Sequence, residues 1–219
     1  MAMDVATVIR FEQRGCGRSE AVGPYNLETC LADLERIREH YGIEQWIVGG
    51  HSWGPDLAIA YAVTYPQRVL GLLGISGGVL HKDRAWSEQY HRLKDTVGEA
   101  NPEFLYPPNM DVNRDINASW SEFVRRPRLL REVADLDVPA LFIYGEQDIR
   151  PSWPVEQTAH LLPRGRIVLI KDAPHVIWLS QGAAMERHLK GFLMEIGREK
   201  SGEQLTGADR WERGENRPA

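Results

Sequence analysis

The sequence predicts an α/β protein with a mostly parallel sheet flanked by helices, and three observations support this class. Short apolar runs typical of buried strands alternate with segments of helical spacing. A Gly-x-Ser-x-Gly pentapeptide, residues 50–54, joins one such strand to one such helix. The candidate functional residues follow the ends of predicted strands, where parallel sheets bind their ligands.

Each element has its own signal in the chain. Leucines 27, 31 and 34 recur at helical spacing and Gly42 is a natural stop, so a helix is predicted at 27–41. Pro55 is acceptable in the first turn of the helix that follows the pentapeptide. Strands are predicted at 5–12, 46–49, 69–76, 140–144 and 167–170, and further helices at 55–65, 155–162 and 182–196.

The domain organisation follows from changes in composition along the chain. Residues 79–135 are polar, aromatic and charged and contain no strand-like run, which predicts a helical cap or lid inserted over the site. Residues 1–78 and 136–199 then form the α/β core. Residues 200–219 are charged and Gly-rich, which predicts a disordered tail.

Composition excludes several classes of function. The chain has 219 residues, a net charge of −5 and 42% apolar residues, which is ordinary for a globular enzyme and argues against a nucleic-acid partner. No apolar run approaches a membrane span, and the start lacks the layout of a signal peptide. Cys16 and Cys30 are expected to be free thiols, which fits a cytoplasmic location. The spacing of His, Cys and Asp gives little support for a metal site, and no cofactor is expected.

The pentapeptide predicts a nucleophile elbow, a tight strand-to-helix turn that projects Ser52 away from the sheet. Residues 50 and 54 must then be small, because the strand and helix backbones nearly touch. The backbone N–H of Trp53 is expected to stabilise an oxyanion, while its ring packs beneath the inserted segment. His51 is expected to pack rather than to act on the serine.

A serine nucleophile needs a base and an acid that orients the base. His175 directly follows the last predicted strand, which makes it the candidate base. Asp148, on the loop after strand 140–144, is the candidate acid, with a turn or cap role as the alternative. Asp137 lies before that strand, and Asp172 is too close to His175 in sequence. The order Ser52, Asp148, His175 is that of the α/β-hydrolases.

With these residues the chain resembles the α/β-hydrolase superfamily, and more narrowly its proline iminopeptidase-like branch. The supporting stretches are residues 11–19 (FEQRGCGRS), 49–54 (GGHSWG), 144–148 (YGEQD) and 173–175 (APH). Glu12 stands where that branch usually has aspartate. The resemblance covers residues 5–197. It implies the α/β-hydrolase fold and a serine hydrolase that cleaves a small ester or amide, with N-terminal proline peptides as one candidate.

The resemblance also implies two departures. Family members usually begin with three further strands and a His-Gly-Gly-type loop that donates a second oxyanion N–H, so an N-terminally truncated fold is expected. Residues 5–12 then either leave a gap in the sheet or pair beside 45–49, and an exposed edge invites a homodimer. In the cap, Glu88 and Glu122 are candidates for binding a substrate amine, with a solvated helix face as the alternative for each.

Two alternatives to an active serine hydrolase arise from the sequence. The first is a catalytically weak or silent hydrolase that acts as a binding or oligomerising protein. The second, haloalkane or epoxide hydrolysis, needs an aspartate nucleophile, and Ser52 argues against it. For the active enzyme, activity is expected to fall at acidic pH as His175 becomes protonated.

Overall fold

Four parallel strands in chain order build the central sheet of this protein, whose computed structural model describes residues 4–99 and 103–202. In register, His51 lies beside Ile75, and Ile75 lies beside Ile143, so the first two strands end together and the third ends two residues further on, at Gly145. The loops that follow them therefore meet at one rim. The strands are β1 (Trp46–His51), β2 (Val69–Ile75), β3 (Ala140–Gly145) and β4 (Gly165–Ile170).

Seven α-helices accompany these strands in the described residues. Asn26 caps the first of them by accepting a hydrogen bond from the Thr29 N–H, which satisfies one free donor of the first turn. Most predicted elements are confirmed to within a few residues. The helices are α1 (Leu27–His40), α2 (Gly54–Thr64), α3 (Arg84–Thr96), α4 (Met110–Phe123), α5 (Leu129–Ala134), α6 (Trp153–Leu161) and α7 (Gly182–Ser201).

The two faces of the sheet are covered by different helices. Alternate strand residues such as Leu72 and Phe142 pack in one core with α1, α2 and α4 to α6. Their neighbours, such as Leu141 and Ile143, pack in a second core against α7. Apolar side chains on both faces explain why β3 is buried along its whole length and appears in the sequence as a continuous apolar run.

The strand predicted at 5–12 is wrong, because this segment has no regular secondary structure. A strand needs a neighbour to satisfy its backbone N–H and C=O groups, and in the described residues β1 pairs only with β2. Val8 and Phe11 are instead exposed. The sequence predicted either a gap in the sheet or pairing of residues 5–12 beside β1. In the described residues, 5–12 do not pair beside β1.

The loop after this segment is held in place by side chains. Arg14 forms a two-point ion pair with Asp33 of α1, with distances of 2.6 and 2.7 Å. The carboxylate of Glu12 accepts a hydrogen bond from the Arg18 N–H at 2.8 Å. Glu12, where the resembled branch usually has aspartate, therefore organises the turn 12–18.

The inserted segment is helical, and the last helix is longer than predicted. Residues 84–134 contain only helices and loops among their described positions, as predicted for 79–135. Helix α7 runs five residues beyond the predicted end at 196, so residues 200 and 201 are helical. The remainder of the predicted tail, 203–219, lies outside the described residues. Within the described part of the chain, no helix is long and apolar enough to cross a membrane.

Candidate active site

Ser52 occupies a strained turn between β1 and α2. Its φ of 59° lies in the left-handed region, and its N–H donates to the Ile75 carbonyl at 2.9 Å. A Cβ on Gly50 would lie 2.9 Å from the Gly54 Cα, so strand and helix approach as closely as predicted for small residues at both positions. This geometry is that of a nucleophile elbow.

The loop after β2 packs directly beneath the serine. A Cβ on Gly77 would lie 2.0 Å from the Ser52 carbonyl oxygen, so only glycine fits there without moving the turn. The neighbouring Ser76 also has a positive φ, 51°. Two strained residues in contacting loops indicate backbone held in place by its surroundings.

His175 and Asp148 meet although 27 residues separate them in sequence. The distance from His175 Nδ1 to Asp148 Oδ2 is 2.6 Å, and both side chains are buried. Asp148 Oδ1 accepts a hydrogen bond from the Arg150 N–H at 2.9 Å. The carboxylate thus fixes the imidazole, leaving Nε2 as the nitrogen that can exchange a proton with another group.

Arg150 connects this aspartate to the inserted segment. Its Nη1 lies 3.3 Å from Asp148 Oδ1, and its guanidinium binds both carboxylate oxygens of Glu99. The guanidinium also stacks over Tyr90 of α3, 5.5 Å from the ring centroid. Arg150 therefore contacts two carboxylates at once: that of Asp148 in the core and that of Glu99, which follows α3.

The backbone of His175 is fixed independently of its ring. Its carbonyl lies 3.0 Å from His51 Nε2 and accepts a hydrogen bond from the Ser76 hydroxyl at 2.8 Å. The His51 ring packs between His175 and Trp178. Burial lowers the pKa of His51, which favours the neutral ring that can donate Nε2–H to this carbonyl. His51 packs, as the sequence predicted.

A cavity of about 380 Å³ opens beside Ser52, within the range of small-ligand sites. Ser52, Trp53 and Asp56 line it from the elbow side, and α4 lines it from the inserted segment. His175 is not among the lining residues. The structure contains no hydrogen bond between the described side chains of Ser52 and His175.

Trp53 directly precedes α2 as its N-cap and is one of the residues that line the cavity. The ring meets Trp120 of α4 edge-on at a centroid distance of 5.5 Å, so it packs under the inserted segment as predicted. Its backbone N–H lies one residue after the serine, which is the position of an oxyanion donor in an elbow.

The structure does not bring Glu88 or Glu122 to the cavity lining. Glu88 is exposed and pairs with Arg84 one turn earlier on α3, at 2.7 Å. Glu122 is exposed near the end of α4. Both positions fit the solvated helix face that was the alternative for each.

Neither a metal centre nor a disulfide is indicated by the described residues. They contain no group of three or more His, Cys, Asp and Glu placed to hold a metal ion. Cys16 and Cys30 are free thiols. Of the other histidines, His188 is half-buried, and the remaining four are exposed: His40, His81, His91 and His160.

Sequence reasoning missed Asp56, a second carboxylate in the elbow region. Its Oδ1 accepts hydrogen bonds from the N–H groups of Gly78 and Val79, at 2.8 and 2.9 Å. Burial raises the pKa of Asp56 to about 7, against the opposing effects of these hydrogen bonds and of Lys82. One signal was present: Asp56 is the only charged residue in the otherwise apolar helix α2.

Comparison with known proteins gives the same fold. A family model described as alpha/beta hydrolase fold matches residues 2–108. The chain is 45% identical over 114 residues to the proline iminopeptidase of Neisseria gonorrhoeae, an alignment that covers 44% of the chain and 36% of that enzyme. It is 25% identical over 237 residues to the proline iminopeptidase of Lactobacillus delbrueckii subsp. lactis, covering 85% of the chain and 80% of that enzyme.

Solved structures extend the likeness beyond the matched segments. A thermophilic esterase from Thermogutta terrifontis superposes with a TM-score of 0.61 at 22% identity, covering 84% of this chain and 78% of that one. At this identity the likeness establishes the fold alone. The parallel sheet, the serine elbow and the matched sequence segments agree: the chain has the α/β-hydrolase fold, and its sequence is similar to those of the proline iminopeptidases.

Proposed function

We propose that this protein is a serine hydrolase that cleaves a small ester or amide through an acyl-enzyme. Ser52 attacks the carbonyl carbon, and His175 takes the hydroxyl proton and later delivers it to the leaving group. Asp148 orients His175, and the Trp53 N–H stabilises the oxyanion. The observation that carries the proposal is the 2.6 Å contact between His175 and Asp148 at the same rim as the strained Ser52.

The proposal requires His175 Nε2 to reach Ser52 Oγ when substrate binds. Catalytic hydrogen bonds are often long or poorly aligned before substrate is present and tighten in the complex. We propose that α3 and α4 act as a cap over the cavity, since α4 forms one of its walls. Closing this wall on a substrate would exclude water from the serine.

A small substrate fits the size of the cavity. Relatives named as proline iminopeptidases suggest an amide with a free amino terminus, and the esterase of the same fold suggests an ester. The chain spans about a third of the length of the gonococcal enzyme that it matches. Peptidase activity is therefore proposed for this chain and is not taken over from that relative.

Labelling with a fluorophosphonate probe tests the nucleophile. We expect wild-type protein and Ser121→Ala to be labelled and Ser52→Ala to remain unlabelled, because only an activated serine attacks the probe. Ser121 is an exposed serine on α4 and serves as the matched control. Equal labelling of Ser52→Ala and wild type would reject Ser52 as the nucleophile.

The second candidate is a catalytically weak or silent hydrolase fold that binds or oligomerises. The missing hydrogen bond between Ser52 and His175 favours it, as does the open edge of β1, which pairs only with β2 in the described part of the sheet. A second copy pairing along that edge would give a homodimer. Hydrolysis of p-nitrophenyl acetate well above a Ser52→Ala control excludes the silent form, and sedimentation equilibrium tests the dimer. A cytoplasmic location stays a prediction from the sequence.

A further inference from the structure

The inserted segment holds the loop after β3 at three points. The Trp86 indole N–H donates to the Pro151 carbonyl at 3.0 Å, in a buried contact. The Arg150 guanidinium stacks over the Tyr90 ring, 5.5 Å from its centroid, and binds both carboxylate oxygens of Glu99, at 2.5 and 3.1 Å. A hydrogen bond, a stacked cation and an ion pair thus fix this loop against α3 and the turn after it.

The same loop carries Asp148, and Arg150 reaches its carboxylate. Asp148 Oδ1 accepts a hydrogen bond from the Arg150 N–H at 2.9 Å and lies 3.3 Å from Nη1, while Oδ2 lies 2.6 Å from His175 Nδ1. The side chains of Asp148, Arg150 and Glu99 are 0%, 23% and 19% exposed. Solvent therefore screens these charges only weakly, and one chain of contacts runs from the inserted segment to the imidazole.

Arg150 carries a positive charge in the middle of this chain of contacts. Burial opposes that charge, but the hydrogen bond with Glu99 and the charge of Asp148 raise the pKa of Arg150. After burial, the Arg150 charge also contributes to lowering the pKa of His51, whose ring centroid lies 4.7 Å from that of His175. A cation near an imidazole disfavours its protonation, and a carboxylate bound to the cation offsets that effect.

We propose that Arg150 is a positioning residue that acts through Asp148 and links the protonation of His175 to the docking of the inserted segment. With Glu99 bound, the charge of Arg150 is balanced and His175 is the stronger base. With Glu99 withdrawn, Arg150 faces Asp148 alone and weakens that base. The inference rests on the proposed function, in which His175 takes the proton of Ser52, and it couples closure of the inserted segment to activation of the base.

Proton uptake by the His175 ring tests this link without requiring catalysis. Histidine ring signals in heteronuclear NMR spectra are followed from about pH 5 to about pH 9, and His175→Gln identifies the signal of His175. We expect Glu99→Gln to lower the midpoint of this titration by about 0.5 pH unit or more, and Arg150→Met to raise it by about as much. The double variant removes both charges and should return the midpoint toward that of the wild type.

Glu88→Gln is the matched control, because Glu88 forms an exposed pair with Arg84 on α3. It removes the same charge from the inserted segment and should leave the midpoint within about 0.2 pH unit of the wild type. Other titratable groups of the region are the same in all these variants: His51 of β1, Tyr144 of β3, Asp172 on the loop of His175, and Asp56 and Lys82 of the cavity.

Opposite shifts in the two single variants support the proposal, because a purely structural ion pair gives shifts of one sign or none. Shifts of the same sign, or a Glu99→Gln midpoint equal to that of the wild type, would overturn it. The Glu99→Gln result is sufficient if Arg150→Met does not fold. The acid limb of kcat/KM for p-nitrophenyl acetate should move with the NMR midpoint. Failure of the hydrolase proposal would instead appear as unchanged fluorophosphonate labelling in Ser52→Ala, with the NMR shifts intact.

Discussion

The carboxylate of Asp148 lies 2.6 Å from Nδ1 of His175, and both side chains are buried. This contact joins the loop after β3 to the loop after β4. A buried imidazole that donates Nδ1–H to a carboxylate is held in the tautomer whose Nε2 can accept a proton.

Replacing Asp148, the proposed orienting acid, should lower turnover while leaving the fold intact. For Asp148→Asn we expect kcat for p-nitrophenyl acetate to fall by about 10³–10⁴, because the amide favours the wrong imidazole tautomer. Asp137→Asn, an exposed residue before β3, is the control and should retain wild-type kcat. A fall of less than about tenfold for Asp148→Asn would contradict the orienting role.

A side chain at position 77 should disturb the serine turn. In Gly77→Ala the new methyl group would collide with the Ser52 carbonyl oxygen, and we expect the free energy of unfolding to fall by about 1–3 kcal/mol. Gly191→Ala on α7 meets no atom within 4 Å and should be neutral or stabilising by up to about 1 kcal/mol. Urea unfolding of both variants measures the difference, and equal stabilities would show that the loop yields without cost.

Two Arg–Glu pairs that involve residues of the inserted segment should differ in their contribution to stability. Glu99 binds Arg150, which contacts buried Asp148, whereas Glu88 and Arg84 form an exposed pair. We expect Glu99→Gln to cost about 1–2 kcal/mol in the free energy of unfolding, and Glu88→Gln less than about 0.5 kcal/mol. Urea unfolding at pH 7 again provides the measurement. A larger loss of stability in Glu88→Gln than in Glu99→Gln would contradict this prediction.

Asp56 should make stability depend on pH. Burial raises its pKa from 3.8 to about 7, so between these values the folded protein holds a proton that the unfolded chain has released. The contribution of Asp56 to stability therefore falls as pH rises from about 4 to 7, with the N–H groups of Gly78 and Val79 and the charge of Lys82 reducing the effect. Asp56→Asn lacks this group, so its stability relative to wild type should increase between pH 5 and pH 8. A constant difference in urea unfolding across that range would contradict the raised pKa.

Much of the site could be predicted because its signals are local. The apolar run before Ser52, the glycines at 50 and 54, and the positions of Asp148 and His175 after strands are all visible in the sequence. The elbow and the contact between His175 and Asp148 both appear in the structure.

The missed features depend on partners that are distant in sequence. Residues 5–12 have the composition of a strand, but a strand exists only where a neighbour accepts its hydrogen bonds. The contact of Arg150 with Glu99 and the hydrogen bonds from Gly78 and Val79 to Asp56 require loops to meet across the fold. Among these features, only Asp56 has a local signal in the sequence, as the single charged residue of α2.

The close approach of Gly77 to the Ser52 carbonyl has a consequence for interpreting damaged variants of this protein. A substitution at position 77 removes no proton carrier, yet its Cβ would collide with the Ser52 carbonyl oxygen and force the main chain of the serine turn to shift. Loss of hydrolysis in variants of Gly77 would thus indicate a steric collision behind Ser52. A second substitution that restores activity would have to change the backbone of the elbow.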